Sequence, residues 1–298
     1  MKRQLLFRLA GVAILVLFTI SNLLLFSDSP QQLISISDQL SAAAPATTIY
    51  FLDVGQGDSE LIVSGDDAIL IDGGPRSAGA DVVEDLHELG ITHLSAVIAT
   101  HPHQDHVGGL IDVLKEFPVD TIYLSDEILT TKTFKKFFRT VLECGAPTVF
   151  PDIGDTIEMD GGAVLTNIGP GANASRVYGT ENCNPCSLVF RLDVYGRSVL
   201  FTGDTTTEAE HDMVARGEPL KCDVLKIAHH GDKSSTSEEF LEAARPTYGV
   251  ISYAADNPYG VPEPIVLQRL QQFDVTLFTT VSNGIVTLTI TPDSLHFT

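Results

Sequence analysis

ATHPHQDHVGGL, residues 99–110, crowds three histidines and an aspartate into six positions directly after the apolar run LSAVIA at 94–99. An unbroken apolar run of that length suits a strand buried on both faces, and it delivers the residues that follow to one edge of a sheet. In the extended stretch after it, residues two apart point the same way. His101 and His103 therefore offer two imidazoles to one point, with Pro102 stiffening the chain between them. Asp105 and His106 sit where the chain turns into a helix and can face a second point close to the first. Gly108 and Gly109 remove side chains where the backbone has to pass close by. Neutral imidazole and carboxylate suit zinc, manganese or iron, and a pair of adjacent metals is the natural product of this spacing.

Two further buried strands end in residues of the same type. SVLFTGD (198–204) closes on Asp204, where a carboxylate at a strand end can lie between two cations. DVLKIAHH (223–230) closes on His229 and His230, followed by Gly231. Three strands thus terminate in metal-ligating side chains, and five of the nine histidines fall at these ends. Singly, each residue reads as ordinary: Asp204 ahead of TTTEAE as a helix N-cap, Asp72 in LIDGG as a turn carboxylate. Their coincidence is what points to a metal centre.

Around these strand ends the chain alternates. TIYFLDV, SELIVSG and AILIDGG are hydrophobic runs separated by Gly/Asp turns, as in a meander. ADVVEDLHEL (80–89) then puts Val82, Val83, Leu86 and Leu89 on one helical face and stops at Gly90. Helices VGGLIDVLKEF and KTFKKFFRTVLEC alternate with strands TIYL and PTVF. After them the sequence begins again with strands TIEM, AVLTNIG, SLVFRLDV and SVLFTGD. A helix near 206–216, the strand DVLKIAHH, a helix near 238–243, the strand YGVISYA, a helix near 264–273 and the terminal strands VTLFTT and GIVTLTI complete the pattern. Strands before helices, twice over, predict two similar halves packed sheet to sheet with helices outside, an αβ/βα sandwich forming one domain over 47–298.

Composition restricts the partners. The 298 residues are 44% hydrophobic, enough for a large core, and 39 acidic against 18 basic residues give a net charge of −21. No broad basic surface for nucleic acid or anionic lipid is expected, so a polyanionic substrate needs a local cation. At the N-terminus, Lys2, Arg3 and Arg8 accompany an apolar stretch from Leu9 to Phe26. Residues 1–28 read as a membrane anchor or a cleaved signal peptide, with SAAAPA at 41–46 as the cleavage candidate. The basic flank predicts an extracytoplasmic body, anchored to the membrane or secreted if cleaved. Residues 29–46 read as a flexible tether. Cys144, Cys183, Cys186 and Cys222 admit disulfides, a zinc-binding C-x-x-C in CNPC, or plain buried thiols.

THPHQDH, followed at a distance by TGD and HHG, resembles the metallo-β-lactamase superfamily. More narrowly, FLDVGQGDSELI, LIDGG, THPHQDHVGGL, SLVFRL, LFTGD and DVLKIAHHGDKSSTSEEFL resemble the C-terminal hydrolase-like domain of the ComEC family of competence DNA-uptake channel proteins. The likeness runs from about Ile49 to Val286 and covers no multi-span channel, so DNA transport by this chain alone is not expected. The resemblance implies an αβ/βα four-layer sandwich with a two-metal cleft at one edge. Carried over, His101, His103 and His230 hold one ion, with His229 as the alternative to His230. Asp105 and His106 hold the other, Asp204 bridges, and Asp72 orients the histidine loop by a hydrogen bond. Residues 107–203 contain no histidine where many superfamily members have a further ligand; that segment carries Cys183 and Cys186 instead. Related sequences read YGHP where this one reads YGVP at 259–262. Val261 cannot ligate, so one firm and one weaker divalent site are expected, filled by Zn, Mn or Fe.

The function implied is hydrolysis of a phosphodiester or related ester, of nuclease type, by water acidified at the metal, with Asp105 and Asp204 as candidate catalytic carboxylates. The expected partner is a phosphate ester such as DNA. In DKSSTS, Lys233, Ser234, Ser235 and Thr236 either grip a phosphate or belong to the cap of the next helix. Phosphorylcholine esterase chemistry or another ester hydrolysis is the enzymatic alternative, and β-lactam hydrolysis is not expected. A membrane-tethered metal-binding module with reduced or lost catalysis is the alternative of a different class, and Val261 is its support.

Overall fold

Alternation along single strands decides the layering, because neighbouring residues of a strand face opposite sides of its sheet. The computed structural model describes residues 45–171, 174 and 182–298. The anchor expected at 1–28 and nearly all of the tether lie outside them. Among the described residues no helix is long and apolar enough to cross a membrane.

The first half runs β1 (Thr47–Phe51), β2 (Glu60–Ser64), β3 (Asp67–Ile71), α1 (Gly79–Glu88), β4 (Leu94–Ala99), α2 (Gln104–Val107), α3 (Leu110–Glu116), β5 (Val119–Leu124), α4 (Lys132–Cys144) and β6 (Thr148–Val149). The second runs β7 (Thr156–Glu158), β8 (Val164–Gly169), β9 (Val189–Val194), β10 (Arg197–Phe201), α5 (Thr207–Arg216), β11 (Val224–Lys226), α6 (Glu238–Ala244), β12 (Tyr248–Ile251), α7 (Pro264–Gln272) and β13 (Thr276–Thr279). Then α8 (Thr280–Asn283), β14 (Val286–Ile290) and β15 (Leu295–Phe297) close the chain. One sheet has the order β15-β14-β1-β2-β3-β4-β5-β6, the other β13-β12-β11-β10-β9-β8-β7. Of the two terminal strands read from the sequence, VTLFTT (β13) extends the second sheet, whereas GIVTLTI (β14) does not, nor does β15, for which the sequence pattern carried no signal. Both β14 and β15 return to the first sheet, where β14 pairs antiparallel with β1.

Three buried layers follow from the alternation. Ile62, Ile69, Ile71, Ala96 and Ile98 of the first sheet meet Leu165, Phe190, Leu192, Val199 and Phe201 of the second. Their strand neighbours Leu61, Leu70 and Val97 turn outward onto Val82, Leu86, Leu110 and Val113 of α1 and α3. On the far side, Leu200, Leu225 and Ile251 pack on Met213, Phe240, Leu241 and Leu270 of α5, α6 and α7. The order helix, sheet, sheet, helix is the four-layer sandwich expected.

Local signals place the ends. Thr131 caps α4 by accepting from the Phe134 N–H at 3.2 Å, and Gly145 ends it in the left-handed region at φ 71°. The helix read from Val107 is split into α2 and α3 with Gly108 and Gly109 between them. This joint packs against the LIDGG turn, with Gly73 N–H donating to His106 O and Gly109 N–H to Gly74 O. A Cβ on Gly109 would lie 1.9 Å from Gly73 O. Gly109→Ala is therefore expected to cost the upper end of about 1–3 kcal/mol, read as a lower urea midpoint. An unchanged midpoint would mean that the two loops do not need this approach.

Candidate metal centre

The ends of β4, β10 and β11 bring the ligand-type residues to one edge of the sandwich. Two groups result, Asp105–His106–Asp204–His230 and His101–His103–Asp204, with the donor atoms of each within 4.8 Å of one another. Asp204 is buried and gives one oxygen to each group. Its Oδ1 lies 3.3 Å from His106 Nε2 and 3.7 Å from His230 Nε2, and its Oδ2 lies 3.6 Å from His101 Nε2. His230 Nε2 is also 3.6 Å from Asp105 Oδ2.

His230 thus stands with Asp105 and His106, not with His101 and His103 as expected. The backbone explains this. β11 stops at Lys226, and AHHG forms a short 3-10 turn in which His229 and His230 both have left-handed φ, 50° and 54°. A straight strand would send the two rings to opposite faces, whereas this turn lets both border the site. His229 is the outer ring, its Nε2 3.7 Å from Asp204 Oδ2 and 3.1 Å from Asn184 Nδ2. Nor is Asp204 a helix cap, since α5 takes Thr206 at that position.

Each inner imidazole has one nitrogen fixed by protein, which leaves the other for the site. His106 Nδ1–H donates to Asp72 Oδ2 at 2.7 Å, and His230 Nδ1–H donates to Ser252 O at 2.9 Å. Asp72 also accepts from the Thr100 amide at 2.8 Å and hydroxyl at 2.6 Å. The Thr100 hydroxyl in turn stands 3.1 Å from His101 Nδ1. One carboxylate therefore steadies two of the histidines, the contact expected of Asp72. His106 Nε2, His230 Nε2 and Asp204 Oδ1 are buried without hydrogen-bond partners. Donors about 2.0–2.2 Å from a tetrahedral ion stand about 3.3–3.6 Å apart, so these orphaned atoms fit a divalent cation in both spacing and chemistry.

Charge divides the histidines into two kinds. Burial pushes His101 and His103 below the usual imidazole range and leaves them neutral. Burial also disfavours charge on His106 and His230, but Asp204 outweighs it, aided by Asp72 at His106 and by Asp58 at His230. His106 rises well above its ordinary value and His230 to about 10. Burial raises Asp204 as well, yet these two imidazolium ions hold it well below the carboxylate range. At Asp105, burial is likewise outweighed, by the His230 and His106 imidazolium ions beside it. Without a cation, protons fill the Asp105 group. Loading it is expected to release protons, with affinity rising from pH 6 toward the His230 value of about 10. Titration calorimetry in buffers of different ionisation enthalpy measures this, and pH-independent affinity would contradict it.

The cleft over these groups has a volume of about 420 Å³, with Gln56, Asn184, His229 and Val261 among its walls. Lys233, Ser234, Ser235 and Thr236 do not line it, so the expected phosphate grip is not formed. Lys233 is paired with Glu263 at 3.1 Å, Ser234 donates to Asp232, and Ser235 and Thr236 are buried. Ser237 caps α6 by accepting from Phe240 N–H. Val261 does not leave the Asp105 group short, since that group has four donors without it. The set built on His101 and His103 is the smaller, with three donors. All four cysteines are free. No disulfide joins them; Cys183 Sγ lies 3.1 Å from His103 Nε2, and burial pushes this thiol up to about 12.

A buried ion network behind the site has no counterpart in the reading of the sequence. Lys226 points between the sheets, its Nζ 2.6 Å from Asp58 Oδ2 and 3.9 Å from Glu60 Oε1. Asp58 Oδ1 is 3.4 Å from His230 Nδ1. Burial favours the neutral form of Asp58, but Lys226 outweighs it and brings the carboxyl to about 2. Burial and the Asp58 charge push Glu60 well above its usual range. The available signal was a lysine in the middle of an otherwise apolar strand.

Known proteins share the sequence and the fold. ComE operon protein 3 of Bacillus subtilis is 29% identical over 92% of this chain, and Recombination protein 2 of Haemophilus influenzae is 30% identical over 85%. The chain spans 38% and 30% of their respective lengths. Among solved structures, Igni18, a metallo hydrolase of Ignicoccus hospitalis, has a TM-score of 0.54 at 18% identity, covering 81% of this chain and 98% of its own. YhfI of B. subtilis, a metallo-β-lactamase fold protein, has a TM-score of 0.52 at 13% identity, covering 82% and 100%. The family profile described as metallo-β-lactamase superfamily matches residues 52–255. With that match, the sandwich and the histidine-aspartate cluster at its edge, the chain belongs to the metallo-β-lactamase superfamily of metal-dependent hydrolases.

Proposed function

We propose that the chain is a phosphodiesterase of nuclease type acting in the Asp204 cleft. The observation that carries this reading is Asp204 itself, a buried carboxylate that gives one oxygen to each of two donor groups. Asp105, His106 and His230 would hold one divalent ion with it, and His101 and His103 the other. Ions bound there supply a Lewis acid that brings the pKa of water toward about 7 and offsets charge on phosphoryl oxygens. Asp72, Thr100 and Ser252 keep the imidazole nitrogens turned inward, which fixes the donor set before substrate arrives. Asp105 is the less buried of the two carboxylates, its side chain 24% exposed against 2% for Asp204, and so lies nearer an entering substrate.

The strongly acidic body makes local cations the route by which a polyanion is admitted. The names of similar proteins, Recombination protein 2 of H. influenzae and Competence protein ComA of Neisseria gonorrhoeae, favour DNA as the diester. In the same reading, residues 1–28 place the domain outside the cytoplasm, anchored to the membrane or released if they are cleaved. The three-donor set at His101 and His103 favours a second reading, a tethered module that keeps one ion and has no turnover.

Hydrolysis of bis(p-nitrophenyl) phosphate and of single- and double-stranded DNA, after loading with Mn, Zn or Fe, separates these readings. His103→Ala should lower turnover beyond the roughly 100-fold seen for residues that only orient a ligand. Turnover of a phosphorylcholine ester without DNA cleavage would select the esterase alternative. One tightly held ion with no turnover of any ester would select the binding module.

A further inference from the structure

We propose that a second cavity, walled by α4, takes a nucleobase of the strand whose phosphodiester lies in the metal cleft, an inference that rests on the phosphodiesterase reading. The cavity has a volume of about 440 Å³, and Phe134, Phe137, Phe138 and Phe150 line it. His101 and Pro102 of the histidine loop form part of the same wall, so the cavity lies against the metal centre. One segment divides the two spaces. Leu129, Thr131 and Thr133 line the cleft, whereas Ile128 and Phe134 line the cavity.

Glu127 specifies the ligand more closely. It lines the cavity and is 3% exposed; its Oε1 accepts from Cys186 Sγ at 3.1 Å, while its Oε2 is buried without a hydrogen-bond partner. A buried acceptor left unpaired costs about 1–3 kcal/mol, more if charged, so a ligand that brings an N–H donor is favoured. Aromatic walls with one buried acceptor suit a flat ring carrying amino or imino hydrogens, which is the description of a nucleobase. A lipid acyl chain fits less well because it would leave Glu127 Oε2 unpaired.

The outer face of α4 supplies the complementary charge. Lys132, Lys135, Lys136 and Arg139 are exposed there, four of the chain's 18 basic residues on one helix of a protein with net charge −21. Phe138 lies one helical turn from Lys135 and is 40% exposed, so its ring forms part of the cavity's rim. A ring for stacking bordered by cations is the arrangement that binds a single strand without reading its sequence.

The test uses the full Mn-loaded chain and two fluorescein-labelled phosphorothioate octamers, one carrying bases and one abasic, compared by anisotropy. The base-bearing strand should bind about tenfold tighter, within the range for one base stacked on an aromatic side chain. Phe138→Ala, at a partly exposed position, should remove that preference and leave affinity for the abasic strand unchanged. Lys135→Glu/Arg139→Glu should weaken both strands alike. Equal binding of the two octamers by the unaltered chain would overturn the proposal, as would a Phe138→Ala loss that falls equally on both. Equal octamer binding together with Phe138-dependent sedimentation on phosphatidylglycerol vesicles would make this face a membrane contact instead. Hydrolysis of bis(p-nitrophenyl) phosphate on the same preparations keeps the two claims apart. Its absence overturns the phosphodiesterase reading, while equal octamer binding with hydrolysis intact overturns only the base pocket.

Discussion

Asp204→Asn should remove bound metal from both donor groups and lower diester turnover by about 1000-fold or more. The substitution keeps the volume of the side chain and takes away the negative charge that the two groups share. Lewis-acid stabilisation amounts to several kcal/mol, and about 4 kcal/mol corresponds to three powers of ten in rate. The change should also lower the pKa of His106 and His230, because Asp204 is the largest charge keeping both protonated. Elemental analysis and NMR titration of the imidazoles read the two effects separately. A variant that keeps its full metal content would show that Asp204 is not the shared ligand.

Lys226→Met should destabilise the fold by about 3–5 kcal/mol at neutral pH, since it leaves Asp58 buried without its counter-ion. The ion pair joins the two sheets, with Asp58 just before β2 of the first and Lys226 on β11 of the second. Its pH dependence has a definite sign. Asp58 is held at about 2 in the folded chain, below the unfolded carboxylate near 3.9, so its contribution is present above the unfolded value and is lost as pH falls through the folded one. In the variant the lysine's share of that depression disappears while that of His230 remains, and Asp58 takes a proton more readily than in the parent when the solution is acidified. The stability gap between variant and parent should therefore shrink from pH 7 to about pH 4 in urea unfolding. Asp58→Asn in the same chain should recover part of the loss at neutral pH, and a double variant no more stable than Lys226→Met would argue against the pair.

The layered sandwich was legible because it rests on local periodicity. LSAVIA and SVLFTGD announce buried strands, and their ends carry His101 and Asp204 without reference to anything distant. His230 was harder to place, because its partners depend on two successive left-handed residues in a turn that reads like the end of a strand. The return of β14 and β15 to the first sheet is a long-range pairing that no local pattern encodes. Lys233 and its neighbouring hydroxyls looked available in sequence, but Glu263 from elsewhere in the fold pairs with Lys233, the adjacent Asp232 accepts from the Ser234 hydroxyl, and Ala228 O accepts from that of Ser235. Val261 looked like a missing ligand for the same reason: the donor number of the Asp105 group depends on where His230 points.

Metal stoichiometry of the full chain, measured by elemental analysis after loading with Mn or Zn and removal of free ions, tests the central claim most directly. Two donor groups sharing Asp204 predict about two ions per chain, about one after His106→Ala and none after Asp204→Asn. A loaded chain that retains no ion, or one whose ion content is indifferent to both substitutions, would contradict the account.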